Sequence, residues 1–212
     1  MSDGGAQPRL APLAAGDWGD AEYAAYGAML GVAGERVPRA GTGHRLDPMR
    51  FAVVGTMVHN PGLAQAFLSF NRHLLNDSTL PVRWRELSIL RVAVRRQCAY
   101  EWGQHVNLAL AAGITAAEIE SLAAGNEGFG GAELAVLRAT DEILSAHRLG
   151  DESWAALHLA LTEAQVMDLI FVVGTYDLLA AAFESWRLQP EPDTAPLPIV
   201  GDPDSDPDRG DS

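Results

Sequence analysis

The chain of 212 residues contains no lysine, and all fifteen of its basic residues are arginine. That absence excludes a Schiff-base mechanism, a pyridoxal-phosphate lysine and a Walker A loop, each of which needs the amine. Cysteine is nearly absent as well. Cys98 stands alone, so no internal disulfide can form and nothing points to an oxidising compartment. No apolar run reaches the length of a bilayer span; the longest, Val166 to Ala182, is interrupted by Asp168, Gly174 and Asp177. The N-terminal stretch MSDGGAQPRLAPLAAGD has no basic region leading into an apolar core, which sets the expectation of a cytoplasmic protein without a membrane partner. Positive charge is scarce beside negative: 28 acidic residues give a net charge of -13. Residues 190–212 hold seven of those acids against Arg209 alone, and the remainder is still acidic, which argues against nucleic acid as a partner.

What is present is the composition of an ordinary globular protein, 48% hydrophobic and 7% aromatic, in a chain long enough to bury a core. No segment sustains the alternation of a strand, so the fold class is all-α. Residues 1–44 read as an arm, mobile up to Gly19, followed by a short helix over Ala21 to Val32 and a Gly/Pro/Arg loop. Residues 45–188 read as one helical domain. Asp47 followed by Pro48, and Asn60 followed by Pro61, each place a capping residue before a proline at the first helical position. Thr115 with Glu118, and Thr162 with Gln165, have capping-box spacing, and Ser153 is the expected cap of the short helix between them and the last one. Residues 189–212 read as a disordered Pro/Asp-rich tail, with too little apolar area to offset the entropy of ordering.

The segment from Trp84 to Gly113 carries the chemistry. Propensity alone makes it one long helix, although Arg95-Arg96-Gln97 leaves room for a break just before Cys98. On a helix, Cys98, Glu101 and His105 fall within about 60° of one another, so a thiol, an acid and a base share one stripe. A break would place Cys98 at a helix start, where orphan amides and the dipole favour thiolate, with Arg95 and Arg96 adding to the effect. Glu101 and His105, four apart, can meet along the helix and make the imidazole a better proton acceptor. Tyr100 and Trp102 beside them indicate a buried helix. The other histidines have no ligand spacing around this segment, so no metal is expected.

The segment LPVRWRELSILRVAVRRQCAYEWGQHVNLALAAGITAAEIESL resembles the signature of the carboxymuconolactone decarboxylase and AhpD-like alkylhydroperoxidase superfamily. MVHNPGLAQAFLSFNRHLL upstream and LTEAQVMDLIFVVGTYDLLAAAF downstream extend the resemblance over about Arg45 to Leu188. It implies an AhpD-like helical bundle, a small-molecule substrate, no bound cofactor and a homo-oligomer. An oligomer is also suggested by the helix from Gln165 to Trp186, apolar around most of its circumference. By the family's pattern Glu86 takes the place of a proton-relay glutamate, Cys98 that of the first cysteine of a C-x-x-C pair, and His105 that of the histidine. Glu101 stands where the second cysteine belongs, so the dithiol-disulfide cycle implied by the AhpD branch cannot run here. Two expectations follow: Glu/His proton transfer of the decarboxylase kind on an organic acid or lactone, or a peroxidase-like reaction at Cys98 with an external thiol. Arg91 is the expected holder of a substrate carboxylate, and His59, Tyr100 and Trp102 are expected to reach the pocket.

Overall fold

A computed structural model describes residues 7–198, which form nine α-helices and no strand among those residues. They are α1 (Asp20–Leu30), α2 (Ala52–Met57), α3 (Pro61–Arg72), α4 (Val82–Arg96), α5 (Ala99–Ala111), α6 (Ala116–Ala124), α7 (Gly131–Ala146), α8 (Asp151–His158) and α9 (Glu163–Trp186).

Helix α4 is the axis of the molecule. Ten consecutive residues, Arg85 to Val94, are buried, and the helix packs against α5, α7 and α9. No one-sided pattern can serve a helix surrounded on three sides, so its apolar residues do not fall into a single stripe. Leu87, Ile89, Leu90, Val92 and Val94 each contribute about 1.5–3 kcal/mol by burial, and Leu90→Ala alone should cost roughly 2–5 kcal/mol. Ile89 and Val92 face α7 and α9, while Leu87, Leu90 and Ala93 face α5 and α6. A third cluster, centred on Tyr26, Val54 and Leu68, ties α1, α2 and α3 together.

Most helix boundaries obey the expected caps. Asn60 accepts a hydrogen bond from the Leu63 amide, and both threonine capping boxes, at Thr115 and Thr162, close as expected. Asp47 caps too, accepting from the Met49 amide, but it opens only the 3-10 turn Pro48–Arg50, and α2 begins afresh at Ala52. Ser153 is not a cap: α8 starts two residues earlier behind Gly150. The break before Cys98 is real. Gln97 takes left-handed backbone at φ 54°, the Cys98 amide bonds back to the Ala93 carbonyl, and α5 starts at Ala99 with Cys98 as its N-cap.

Two segments expected to be loose are packed where the structure describes them. From residue 7 the N-terminal arm runs along the body, with the Arg9 amide bonded to the Trp186 carbonyl and the Leu13 amide to that of Gly55. At the other end, residues 189–198 fold back across α5, where Ala195 and Leu197 pack against the cluster of Leu87 and Trp102. Proline and acid content led to the opposite expectation because the segment's partners are supplied by α5, not by neighbours in sequence. The rest of that tail, residues 199–212, lies outside the described residues.

Candidate functional site

Helices α4 and α5 meet at a turn, so Glu86 near the start of one lies beside His105 near the end of the other. The His105 Nδ1 sits 2.7 Å from Glu86 Oε2. The second carboxylate oxygen of Glu86 accepts from both Nε and Nη2 of Arg85 at 3.1 Å, and Arg85 Nη1 donates to the Leu75 carbonyl. All three side chains are buried. Burial alone would raise the Glu86 carboxyl, but the hydrogen bond from His105, the His105 charge and the Arg85 pairing outweigh it and hold Glu86 below the usual carboxylate range. An ionised Glu86 fixes Nδ1 as the protonated nitrogen, so the ring offers Nε2 to a reactant. Tyr176 of α9 meets the imidazole edge to face, with centroids 4.9 Å apart. Its phenol is pushed well above its ordinary value by burial and then by the Glu86 charge, so it stays a hydrogen-bond donor.

The contact expected between Glu101 and His105 is not made. His105 turns to Glu86, and Glu101 is 1% exposed with neither carboxylate oxygen bonded to any described residue. An ionised carboxylate in such a place would be very costly. Burial, reinforced by the Asp177 charge, raises its pKa well above the ordinary value and favours the neutral acid.

Cys98 departs furthest from expectation. It does cap α5, but the thiol is completely buried, and burial above all pushes it up to about 12. The arginines expected to favour thiolate are occupied elsewhere: Arg95 pairs with Asp141 and Arg96 with Asp177. Burial here defeats the helix dipole, whose effect is about 1 kcal/mol.

A cavity of about 430 Å³ opens beside this group. Glu101, His105, Tyr100, Tyr176, Asn71 and Gln104 supply its polar wall, and Phe51, Val53, Phe67, Leu179 and Phe183 are among its apolar residues. Neither Cys98 nor Glu86 lines it; Glu86 acts on the cavity through His105. Tyr100 reaches it as expected. Trp102 does not, because the next position on α5 points to the opposite side, into a separate groove with Val106 and Ile119. Arg91 is also elsewhere: its guanidinium forms a two-pronged pair with Asp141, at 2.8 and 2.7 Å, and donates to the Leu122 and Gly125 carbonyls. With every prong occupied it holds no substrate carboxylate. His59 is exposed and bonds the Ala11 carbonyl, outside the cavity. No grouping of three or more His, Cys, Asp or Glu among the described residues could hold a metal ion.

Sequence reasoning missed Tyr176, Asn71 and Glu191. Tyr176 was hidden inside the most apolar helix, where an aromatic residue reads as core. Glu191 comes from the tail and accepts hydrogen bonds from the Ala52 amide, the Tyr100 hydroxyl and the Gln104 side chain.

Residues 61–142 match the model of the carboxymuconolactone decarboxylase family. No curated protein matches the chain. Among solved structures, a peroxidase-related protein from Silicibacter sp. TM1040 superposes with a TM-score of 0.63 at 14% identity, covering 74% of this chain and 91% of its own. The debrominase Bmp8 gives 0.63 at 16% identity over 86% and 92%. A putative antioxidant defence protein AhpD from Agrobacterium tumefaciens gives 0.56 at 16% over 63% and 94%.

Proposed function

We propose that the chain, whose residues 61–142 match the carboxymuconolactone decarboxylase family model and whose fold is AhpD-like, is a cofactor-independent enzyme of that superfamily moving protons on a small carbonyl compound. The observation that carries this reading is one cavity lined by a base and an acid whose environments differ. His105 is oriented by an ionised Glu86, and Glu101 is kept neutral by burial.

In this scheme His105 Nε2 takes a proton from the carbon next to the carbonyl. The electron pair of that C–H bond becomes the new C=C bond, and Glu101 protonates the carbonyl oxygen; the reverse steps return both protons. Nothing is oxidised or reduced. Tyr176, kept as a phenol, is a donor for the oxygen where charge develops. This revises the assignment of acid and base made from the sequence, since Glu101 does not assist His105 but works opposite it. A reaction at Cys98 draws less support, because the thiol is buried away from the cavity and protonated.

The test is solvent-deuterium uptake by a panel of small lactones and ketones, followed by proton NMR. Uptake should be catalysed by the native protein, fall at least about a hundredfold in His105→Ala and in Glu101→Gln, and stay within about twofold in Cys98→Ser. Loss of uptake in Cys98→Ser with retention in Glu101→Gln would overturn the scheme.

The chain also self-associates in this reading. Met167, Phe171 and Leu178 of α9 are exposed, and with Phe70 of α3 they present an apolar face that no described segment covers. Sedimentation should find an oligomer that Phe171→Glu dissociates; a monomeric native protein at micromolar concentration would refute it.

A further inference from the structure

The family match ends at residue 142, yet part of the cavity wall is held from outside it, by residue 191. The segment 189–198 crosses α5, and Glu191 fastens it with three hydrogen bonds. Oε1 accepts from the Ala52 amide at 3.0 Å and from the Tyr100 hydroxyl at 3.1 Å, and Oε2 accepts from Gln104 Nε2. Tyr100 and Gln104 line the cavity, and Ala52 lies between Phe51 and Val53, which line it as well. The Tyr100 hydroxyl in turn accepts from the Val53 amide at 3.1 Å. Glu191 therefore stands behind the polar side of the cavity, as Glu101 stands beneath it.

No positively charged side chain of the described residues pairs with Glu191. The sequence has no lysine, and among the described residues no arginine lines the cavity. The arginines of α4 are spent: Arg83 on Glu118 and Glu133, Arg85 on Glu86 and the Leu75 carbonyl, Arg91 and Arg95 on Asp141, and Arg96 on Asp177. Asp177, close enough to raise Glu101, adds negative charge from α9, although Arg96 pairs with it. Most of the wall is apolar. An anionic ligand entering here would lose its hydration, lie against the Glu191 carboxylate behind the polar wall and meet no guanidinium of the described residues, the group that usually receives a carboxylate. The overall charge of -13 acts in the same direction at long range.

We propose that Glu191 is a specificity-determining residue of the cavity, and that its carboxylate restricts the site to uncharged, largely apolar carbonyl compounds such as lactones and ketones, excluding carboxylates. This rests on the cavity being the reaction site, and it narrows the substrate expected from the sequence from organic acid or lactone to lactone.

Two eight-carbon probes, δ-octalactone and octanoate, differ chiefly in charge. Their binding to the full-length protein is measured by calorimetry at pH 7.5 for the native chain and for Glu191→Gln, with a thermal melt to verify that the variant is folded. The lactone should bind the native protein at least about tenfold more tightly than octanoate. In Glu191→Gln the ratio should shrink by about threefold or more, chiefly because octanoate binds better. Equal binding of the two probes to the native protein, an unchanged ratio in the variant, or binding of neither probe overturns the proposal. The readout is binding, not turnover, so the proton-transfer scheme stands or falls separately: His105→Ala should lose deuterium uptake while keeping the native preference for the lactone.

Discussion

Glu101→Gln allows the protonation state of a buried acid to be read from stability alone. Folding takes the Glu101 carboxyl out of water without giving either oxygen a partner, and its pKa in the folded protein lies well above the ordinary 4.5. Between those two values the folded chain binds a proton that the unfolded chain has released. The stability associated with that proton is therefore present in full below the ordinary value and is lost as pH rises through the window. For one proton the loss is about 1.4 kcal/mol per pH unit. Glutamine does not titrate, so the variant lacks this slope. Every other titrating group is shared by the two proteins, and subtraction removes it. Urea unfolding of both at pH 5, 6 and 7 should give a native-minus-variant difference that falls steadily across the series, by up to about 3 kcal/mol. The fixed cost of a buried amide shifts the line without tilting it. A difference that is flat between pH 5 and 7 would mean that Glu101 ionises normally in the folded protein, and its role as acid would be lost.

The remaining expectations concern its neighbours. Cys98 should resist iodoacetamide in the native protein and react only on unfolding, which mass spectrometry of the alkylated chain can verify; rapid native labelling would contradict its burial. Glu86→Ala removes the partner of two buried groups, Arg85 and His105, and should cost about 3–5 kcal/mol in urea unfolding. Because the folded-state value of Glu86 is depressed, its contribution is present above the ordinary 4.5 and is lost as pH falls through the lower value. Below pH 4.5 the native protein should thus lose stability faster than Glu86→Ala.

Much of the fold was legible in the sequence. The caps at Asn60, Thr115 and Thr162 were readable because an N-cap is a local hydrogen bond within three or four residues. The break at Gln97 was only permitted by the sequence, since a non-glycine residue in left-handed backbone leaves no compositional mark. The site was legible in its members but not in its pairings. Spacing along one helix suggested Glu101 for His105; the actual partner, Glu86, is nineteen positions away on another helix. Arg91 was misplaced for the same reason, because its acceptor, Asp141, is fifty positions distant on α7. Cys98 shows a further limit: the local argument from the helix start was sound, but its outcome was decided by desolvation, which depends on what the rest of the chain lays over that start.

Gly103, in the middle of α5, turns the strap across this helix into a measurable balance. Its missing side chain leaves the space into which Thr194 settles, and a β-carbon there would lie only 2.8 Å from Thr194 Cβ. Alanine should strengthen an isolated helix by about 1 kcal/mol over glycine, yet here it must push the strap outward. The two effects oppose each other at a single atom that does not line the cavity. Whichever way the stability of Gly103→Ala moves, its sign weighs the tail's attachment against an ordinary helical turn, and a loss shows that residues 189–198 are a part of the folded body which the helix has given up stability to accommodate.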